Sequence, residues 1–251
     1  MEPFSAVIIA CNEEDYIGRC LESLQGLADE VIVVDSFSTD ATEAVCKAFN
    51  VRFIQHPFEG YIEQKNWALS IARNKWVLSL DADEALSDEL KKEIISTMQA
   101  PRYDGYIMNR RNNYCGKWLR FSGWYPDRHL RLFDASKGKW GGLNPHDKFI
   151  LFPGASTAWL RGDILHWNIK TTEEHRLKME NFSTIGANEL FRKGQKASLF
   201  TALVHSSWSF FNSYVLRGGF LEGKTGFDVC RISAWGCWLK YMKLSKLSGK
   251  R

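Results

Sequence analysis

Leu78-Ser79-Leu80-Asp81-Ala82-Asp83-Glu84 sets three acids at the end of the apolar run Trp76 to Leu80. Side chains of an extended chain repeat every two residues, so Asp81 and Asp83 point the same way. Two carboxylates on one face make a hard-oxygen site suited to Mg²⁺ or Mn²⁺, and a metal held there would grip a diphosphate. The same residues also read as a solvated turn, with Asp83 and Ser87 able to cap a helix over Asp88 to Met98.

The residues before this stretch favour the first reading. Val7-Ile8-Ile9-Ala10, Val31-Ile32-Val33-Val34, Arg52-Phe53-Ile54 and Trp76 to Leu80 are short apolar runs. Helical patterns separate them, at Asp15 to Leu27, Thr39 to Phe49 and Ile62 to Arg73. Such alternation builds successive βαβ units and a parallel sheet buried on both faces. Ligands collect beyond the carboxyl ends of such strands. Those ends carry Cys11-Asn12-Glu13-Glu14, Asp35-Ser36-Phe37-Ser38-Thr39-Asp40 and Asp81-Ala82-Asp83, so three polar clusters are expected on one rim.

Pro101 breaks the pattern. Gly105 to Asn109, Leu130 to Phe133 and Lys148 to Leu151 read as further strands of a mixed, mainly parallel sheet. The chain turns helical again from Glu173 to Arg192. The expected division is an α/β catalytic domain over 1–170 and a helical C-terminal appendage over 171–251.

Composition is that of a globular protein, with 45% hydrophobic and 25% charged residues. A net charge of +4 without a long basic run gives no footprint for nucleic acid. Six cysteines without Cys-x-x-Cys spacing read as reduced thiols. The N-terminus enters the first strand without a basic n-region, so a cytoplasmic protein is expected. Ala197 to Leu216 carries no formal charge, but its serines, His205 and Asn212 fall opposite Phe200, Val204, Trp208, Phe211 and Val215 on a helical wheel. That amphipathic helix either lies on a membrane or packs on the main domain. Trp235, Trp238 and Tyr241, followed by Lys243, Lys246, Lys250 and Arg251, fit an anionic inner-leaflet surface equally well as a solvated helix end.

Taken in order, Ile8 to Glu14, Val33 to Asp40, Gln64-Lys65-Asn66-Trp67-Ala68-Leu69 and Leu80 to Glu84 resemble the inverting family 2 glycosyltransferases of the GT-A fold. Gly123-Trp124-Tyr125-Pro126-Asp127, Arg131-Leu132-Phe133, Pro145-His146-Asp147 and Leu165-His166 resemble the bacterial subgroup that extends the lipopolysaccharide inner core, typified by a β-1,4-glucosyltransferase. The resemblance implies a UDP-hexose donor, glucose by preference, and a saccharide or glycolipid acceptor. It implies that Ala10, Cys11, Asn12 and Glu13 lie against the nucleotide, that Asp35 bonds the uracil or ribose, and that Lys65 sits near the base and phosphates. Asp83 and Asp81 would hold a divalent metal, Mg²⁺ or Mn²⁺, with Asp81 also near the sugar. Asp147 would be the base.

Read from the residues alone, Asp35 is also a turn residue and Lys65 an exposed helix lysine. His166 either completes the metal site or is structural. The resemblance to the subgroup implies that Arg110, Arg111, Arg128 and Arg131, with Trp124, lie on the acceptor side, and the loop Trp118 to Tyr125 is expected to exclude water. The chain departs from the family pattern twice. Phe37 stands where relatives have Gly, so its loop avoids a positive φ or accepts strain. His146-Asp147 stands where the subgroup has His-Glu, one methylene longer. A nucleotidyltransferase and a non-catalytic membrane scaffold are the rival classes. The first lacks a Gly-rich basic triphosphate loop, and the second leaves Asp35, Asp81, Asp83 and Asp147 without a reason.

Overall fold

The computed structural model describes residues 1–143 and 146–249. Pro145, part of the Pro-His-Asp motif, and Lys250 and Arg251, the end of the cationic tail, lie outside the described residues. The first half runs β1 (Phe4–Ala10), α1 (Ile17–Leu24), β2 (Glu30–Asp35), α2 (Thr42–Lys47), β3 (Arg52–Gln55), α3 (Tyr61–Ser70), β4 (Trp76–Asp81), β5 (Glu84–Leu86) and α4 (Asp88–Gln99). It continues β6 (Gly105–Tyr114), β7 (Lys117–Trp118), β8 (Asp127–Asp134), β9 (Gly138–Leu143), β10 (His146–Leu151) and β11 (Thr157–Ile169). Three long helices follow, α5 (Thr172–Arg192), α6 (Leu199–Phe211) and α7 (Gly223–Ser248).

The main sheet has the order β3-β2-β1-β4-β8-β6-β11-β5, with β7 on β6, while β9 and β10 form a hairpin of their own. The first four strands pair in parallel, and β8 then joins β4 antiparallel. This is the mixed, mainly parallel α/β sheet expected. Both faces of β1 and β4 are covered, which is why their sequences are continuous apolar runs. Helix α1 buries Ile17, Cys20, Leu21 and Leu24 at helical spacing against this sheet. Helix α4 starts where Ser87 Oγ accepts from Leu90 N at 3.3 Å. Gly162 is needed beside it: its φ is +77° and a Cβ there would stand 2.5 Å from Leu90 N.

Helix α2 starts at Thr42, three residues later than expected, because the polar residues before it bond elsewhere. Thr39 N donates to Asn12 Oδ1 at 2.8 Å, and Asp40 Oδ1 accepts from Thr42 N at 3.0 Å. The strand ends fall in register, Ala10 beside Asp35 and Ile9 beside Asp81. The loops after β1, β2 and β4 therefore share one rim.

The chain forms two compact units, one of Met1–Arg111 with Asp127–Trp167, the other of Asn112–Pro126 with Asn168–Arg251. In the second, the buried Glu222 ties the loop after β7: it accepts from Arg120 N at 2.7 Å and Phe121 N at 3.2 Å, and pairs with Lys117 Nζ at 2.9 Å. Its core gathers Tyr114, Leu119, Ile169 and Val229. Tyr114 Oη lies 3.0 Å from Nδ1 of the fully buried His175, and Trp124 packs edge-on to both rings.

Burial holds the His175 imidazole down at about 4, with Lys178 adding to the effect and Glu174 opposing it. An unfolded histidine titrates near 6.5, so between these values the unfolded chain binds a proton that the fold refuses. Stability contributed by neutral His175 is complete above about pH 6.5 and is lost as pH falls toward 4, on the order of 3 kcal/mol in all. Urea unfolding of His175→Gln, whose amide still accepts from Tyr114, should show a shallower loss between these pH values than the parent. Parallel curves for the two proteins would remove His175 as the cause.

Candidate active site

The rim opens into two cavities of the first unit. One, of about 430 Å³, is lined by Ala10, Cys11, Glu13, Ser36, Phe58, Tyr61, Asp81, Asp83 and His166, among others. The second, of about 600 Å³, is lined by Lys65, Arg110, Arg128, His129, Arg131, Trp140, Asp147 and Lys148, and it shares Tyr61 and Asp81 with the first.

Antiparallel pairing of β11 with β5 sets His166 opposite Glu84, and Trp167 N donates to the Asp83 carbonyl at 3.0 Å. His166 Nε2 consequently lies 3.2 Å from Asp83 Oδ2. Asp81 is engaged differently. Its Oδ1 is 2.9 Å from Lys65 Nζ and its Oδ2 2.9 Å from Arg131 NH2. Burial works against its charge, but Arg131 and Lys65 outweigh it and hold the carboxyl well below the usual carboxylate range.

Lys65 is itself buried. Its Nζ bridges Asp81 and Asp147, 2.8 Å from Asp147 Oδ2, and sits 4.6 Å from the centre of the Trp140 ring. Asn66 fixes that ring's strand, donating to Trp140 O and accepting from Trp140 N, both at 3.0 Å. Arg131 continues the chain of charges to the buried Glu84 at 2.9 Å, Glu84 meets Arg110 at 3.4 Å, and Arg110 meets Asp127 at 2.8 Å. Burial opposes the Arg131 and Arg110 charges, yet Asp81 and Glu84 for the one, Glu84 and Asp127 for the other, push both further into the protonated range.

Of the residues expected at the nucleotide, Ala10, Cys11, Glu13 and Asp81 line the smaller cavity. Asn12 and Asp35 instead build the loop behind it. Asp35 is fully buried; its Oδ2 accepts from Ser38 N at 2.9 Å and its Oδ1 from the Ser38 hydroxyl. Asn12 adopts φ 56° and Phe37 φ 58°, so the loop with Phe37 in place of Gly accepts the strained conformation. Lys65, expected at the base and phosphates, faces the second cavity and Asp147.

On the acceptor side, Arg128 stands exposed over the Trp159 ring at 3.8 Å from its centre. Arg131, expected on the acceptor side, lines the second cavity but is only 3% exposed and is paired with Asp81 and Glu84. Trp124 and the loop Trp118 to Tyr125 belong to the second unit, packed as described above. Phe58 and Tyr61 were not expected at the site; aromatic residues around Gly60 carry no spacing signal.

Among the described residues no three His, Cys, Asp or Glu side chains gather as a metal centre. The donor set fits a divalent cation in part. Asp83 and His166 offer an oxygen and a nitrogen side by side in the smaller cavity, whereas both Asp81 oxygens are already taken by cations.

A parallel sheet with polar loops on one rim and a cavity over its strand ends is the frame of a nucleotide-binding α/β enzyme. The model of "Glycosyl transferase family 2" matches residues 5–155, and the chain belongs to that family. It is 32% identical over 97% of its length to an uncharacterised glycosyltransferase of Rickettsia felis, covering 90% of that protein. It is 30% identical over 89% of its length to the lipopolysaccharide core biosynthesis glycosyltransferase LpsC of Rhizobium meliloti, covering 87% of that protein. The crystal structure of Staphylococcus aureus TarS shares the fold, with a TM-score of 0.50 and 17% identity over 88% of this chain and 46% of that one.

Removing Arg131 tests how much the buried chain of charges contributes. Arg131→Met leaves Asp81 and Glu84 short of a counter-ion, and a loss of about 3–5 kcal/mol in unfolding free energy is expected. A loss below about 1 kcal/mol would mean that the pair is compensated by solvent or by Lys65 and Arg110.

Proposed function

We propose that the protein transfers a hexose, glucose from UDP-glucose, onto a lipopolysaccharide-core or related lipid-linked saccharide with inversion at the anomeric carbon, at the inner face of the bacterial inner membrane. The observation that carries this reading is Asp147. Its carboxylate lies in the cavity beside Asp81 and Tyr61, the two residues shared with the smaller one, and Lys65 holds it at 2.8 Å. The similarity to LpsC supports the acceptor class.

In this reading the smaller cavity takes the nucleotide sugar. Ala10, Cys11 and Glu13 border the nucleotide, Asp35 and Asn12 fix the loop against which it lies, and Tyr61 walls the sugar. Asp83 and His166 would hold a divalent cation, which supplies positive charge to the departing diphosphate when bound. Asp147 takes the proton of the acceptor hydroxyl, and the oxygen attacks the anomeric carbon from the face opposite the diphosphate. The bond to the diphosphate breaks as the new glycosidic bond forms, and its electron pair leaves with the phosphate. Lys65 is a positioning residue that holds the Asp147 carboxylate at 2.8 Å. Arg128, over the Trp159 ring, offers its N–H groups to oxygens of the acceptor.

Incubation with a panel of sugar nucleotides and core saccharides, with and without Mg²⁺ or Mn²⁺, should give UDP release with UDP-glucose and a product of inverted configuration. Release from a nucleoside triphosphate instead would favour a nucleotidyltransferase. Asp147→Asn should keep donor affinity while transfer falls roughly 10²–10⁴-fold. Equal loss of affinity and rate would move the base elsewhere. Asp83→Ala should abolish metal-dependent donor binding; wild-type turnover in that variant would remove the metal from the reading.

A further inference from the structure

Helix α6 is built inside out for a soluble protein. It packs on α7 through its small and polar side: Ala202 is its one fully buried residue, and His205 stacks on Tyr241 at 4.3 Å. Leu199, Phe200, Leu203, Val204, Trp208 and Phe211 recur at helical spacing on the opposite side, and all are exposed, Phe200 by 72% and Trp208 by 57%. Past the π-helical turn Asn212–Leu216, Phe220 and Leu221 on the next short turn are more than half exposed as well. An apolar face this continuous has an occupant.

The charges around it say which. Residues 190–221 contain Arg192, Lys193, Lys196 and Arg217 and no Asp or Glu. Arg192, Lys196 and Arg217 are exposed, flanking α6 at its start and end, while Lys193 is paired with Glu189 at 2.6 Å. A second copy of the chain meeting this face about a two-fold axis would bring the same cations against each other. An anionic lipid surface supplies the missing negative charge and takes the aromatic and aliphatic side chains below it. Among the described residues no helix is long and apolar enough to cross a membrane, so a face that lies on the bilayer is what α6 can offer. By contrast, Trp235, Trp238 and Tyr241 on α7 are partly covered within their own unit.

We infer that the outward face of α6, continued by Phe220 and Leu221, is a docking surface for an anionic phospholipid bilayer. This deepens the reading of a membrane-borne acceptor by naming the face that meets the lipid, and it is read from binding alone, so failure of the sugar chemistry leaves it standing.

The test is co-sedimentation of the full chain with vesicles of phosphatidylcholine and of phosphatidylcholine mixed with phosphatidylglycerol, beside light-scattering mass in solution. The parent should bind the mixed vesicles, more weakly as salt rises. The double variant Phe200→Asp, Trp208→Ser should bind at least about tenfold more weakly with an unchanged circular dichroism spectrum and melting midpoint. Arg192→Ser with Lys196→Ser should lose the preference for phosphatidylglycerol. Unchanged binding in the α6 double variant would overturn the inference, as would a parent that binds neither vesicle. A dimer in solution that the same substitutions dissociate would assign the face to a second copy instead.

Discussion

The site depends on one run of alternating charge, Asp147, Lys65, Asp81, Arg131, Glu84 and Arg110, buried at Lys65, Arg131 and Glu84 and partly exposed at Asp81 and Arg110, in which each neighbouring pair lies between 2.8 and 3.4 Å apart. Taking any single member out of water costs several kcal/mol, and only the neighbours on either side offset that cost. The run therefore cannot be shortened piecemeal. It links α3, the end of β4, β5, β6, β8 and β10, so the elements that carry the two cavities are tied at the level of their charges.

The same run decides which residues remain for chemistry. Asp81 and Arg131 look like ligands in a list of charged residues, but each is consumed by two partners. Asp83, two residues beyond Asp81, lies beside His166 and lines the smaller cavity. Arg128 lies over the Trp159 ring, 3.8 Å from its centre, and lines the second cavity. Asp83 and Arg128 thus line two different cavities, which share Tyr61 and Asp81.

Much of this was legible in the sequence. Continuous apolar runs ending in acids specify parallel strands covered on both faces, because no other element buries every side chain over so short a length. The convergence of Ala10, Cys11, Glu13, Asp81, Asp83 and His166 follows from the order of those runs and from the pairing of β11 with β5. The internal counter-ions were not legible. Glu84 and Arg131 are forty-seven positions apart, and nothing in either neighbourhood distinguishes a buried pair from two surface charges. The direction of α6 was equally hidden. A wheel separates an apolar from a polar side, but only the contact with α7 tells which side is turned in.

Phe37 closes the argument about the donor loop. A positive φ on a bulky residue costs on the order of 1 kcal/mol or more and persists only where the surroundings over-determine it. Here they do. Asp35 grips Ser38 N, the Ser38 hydroxyl accepts from Asn12 N at 2.8 Å, and Asn12 Oδ1 accepts from Thr39 N. Asn12 is itself at a positive φ, which its short amide tolerates by bonding across to the second loop. The two loops thus hold each other's strained residues, and Phe37 is turned outward, 53% exposed, where its ring obstructs nothing. Asp35, through its two bonds to Ser38, anchors the loop that carries Phe37.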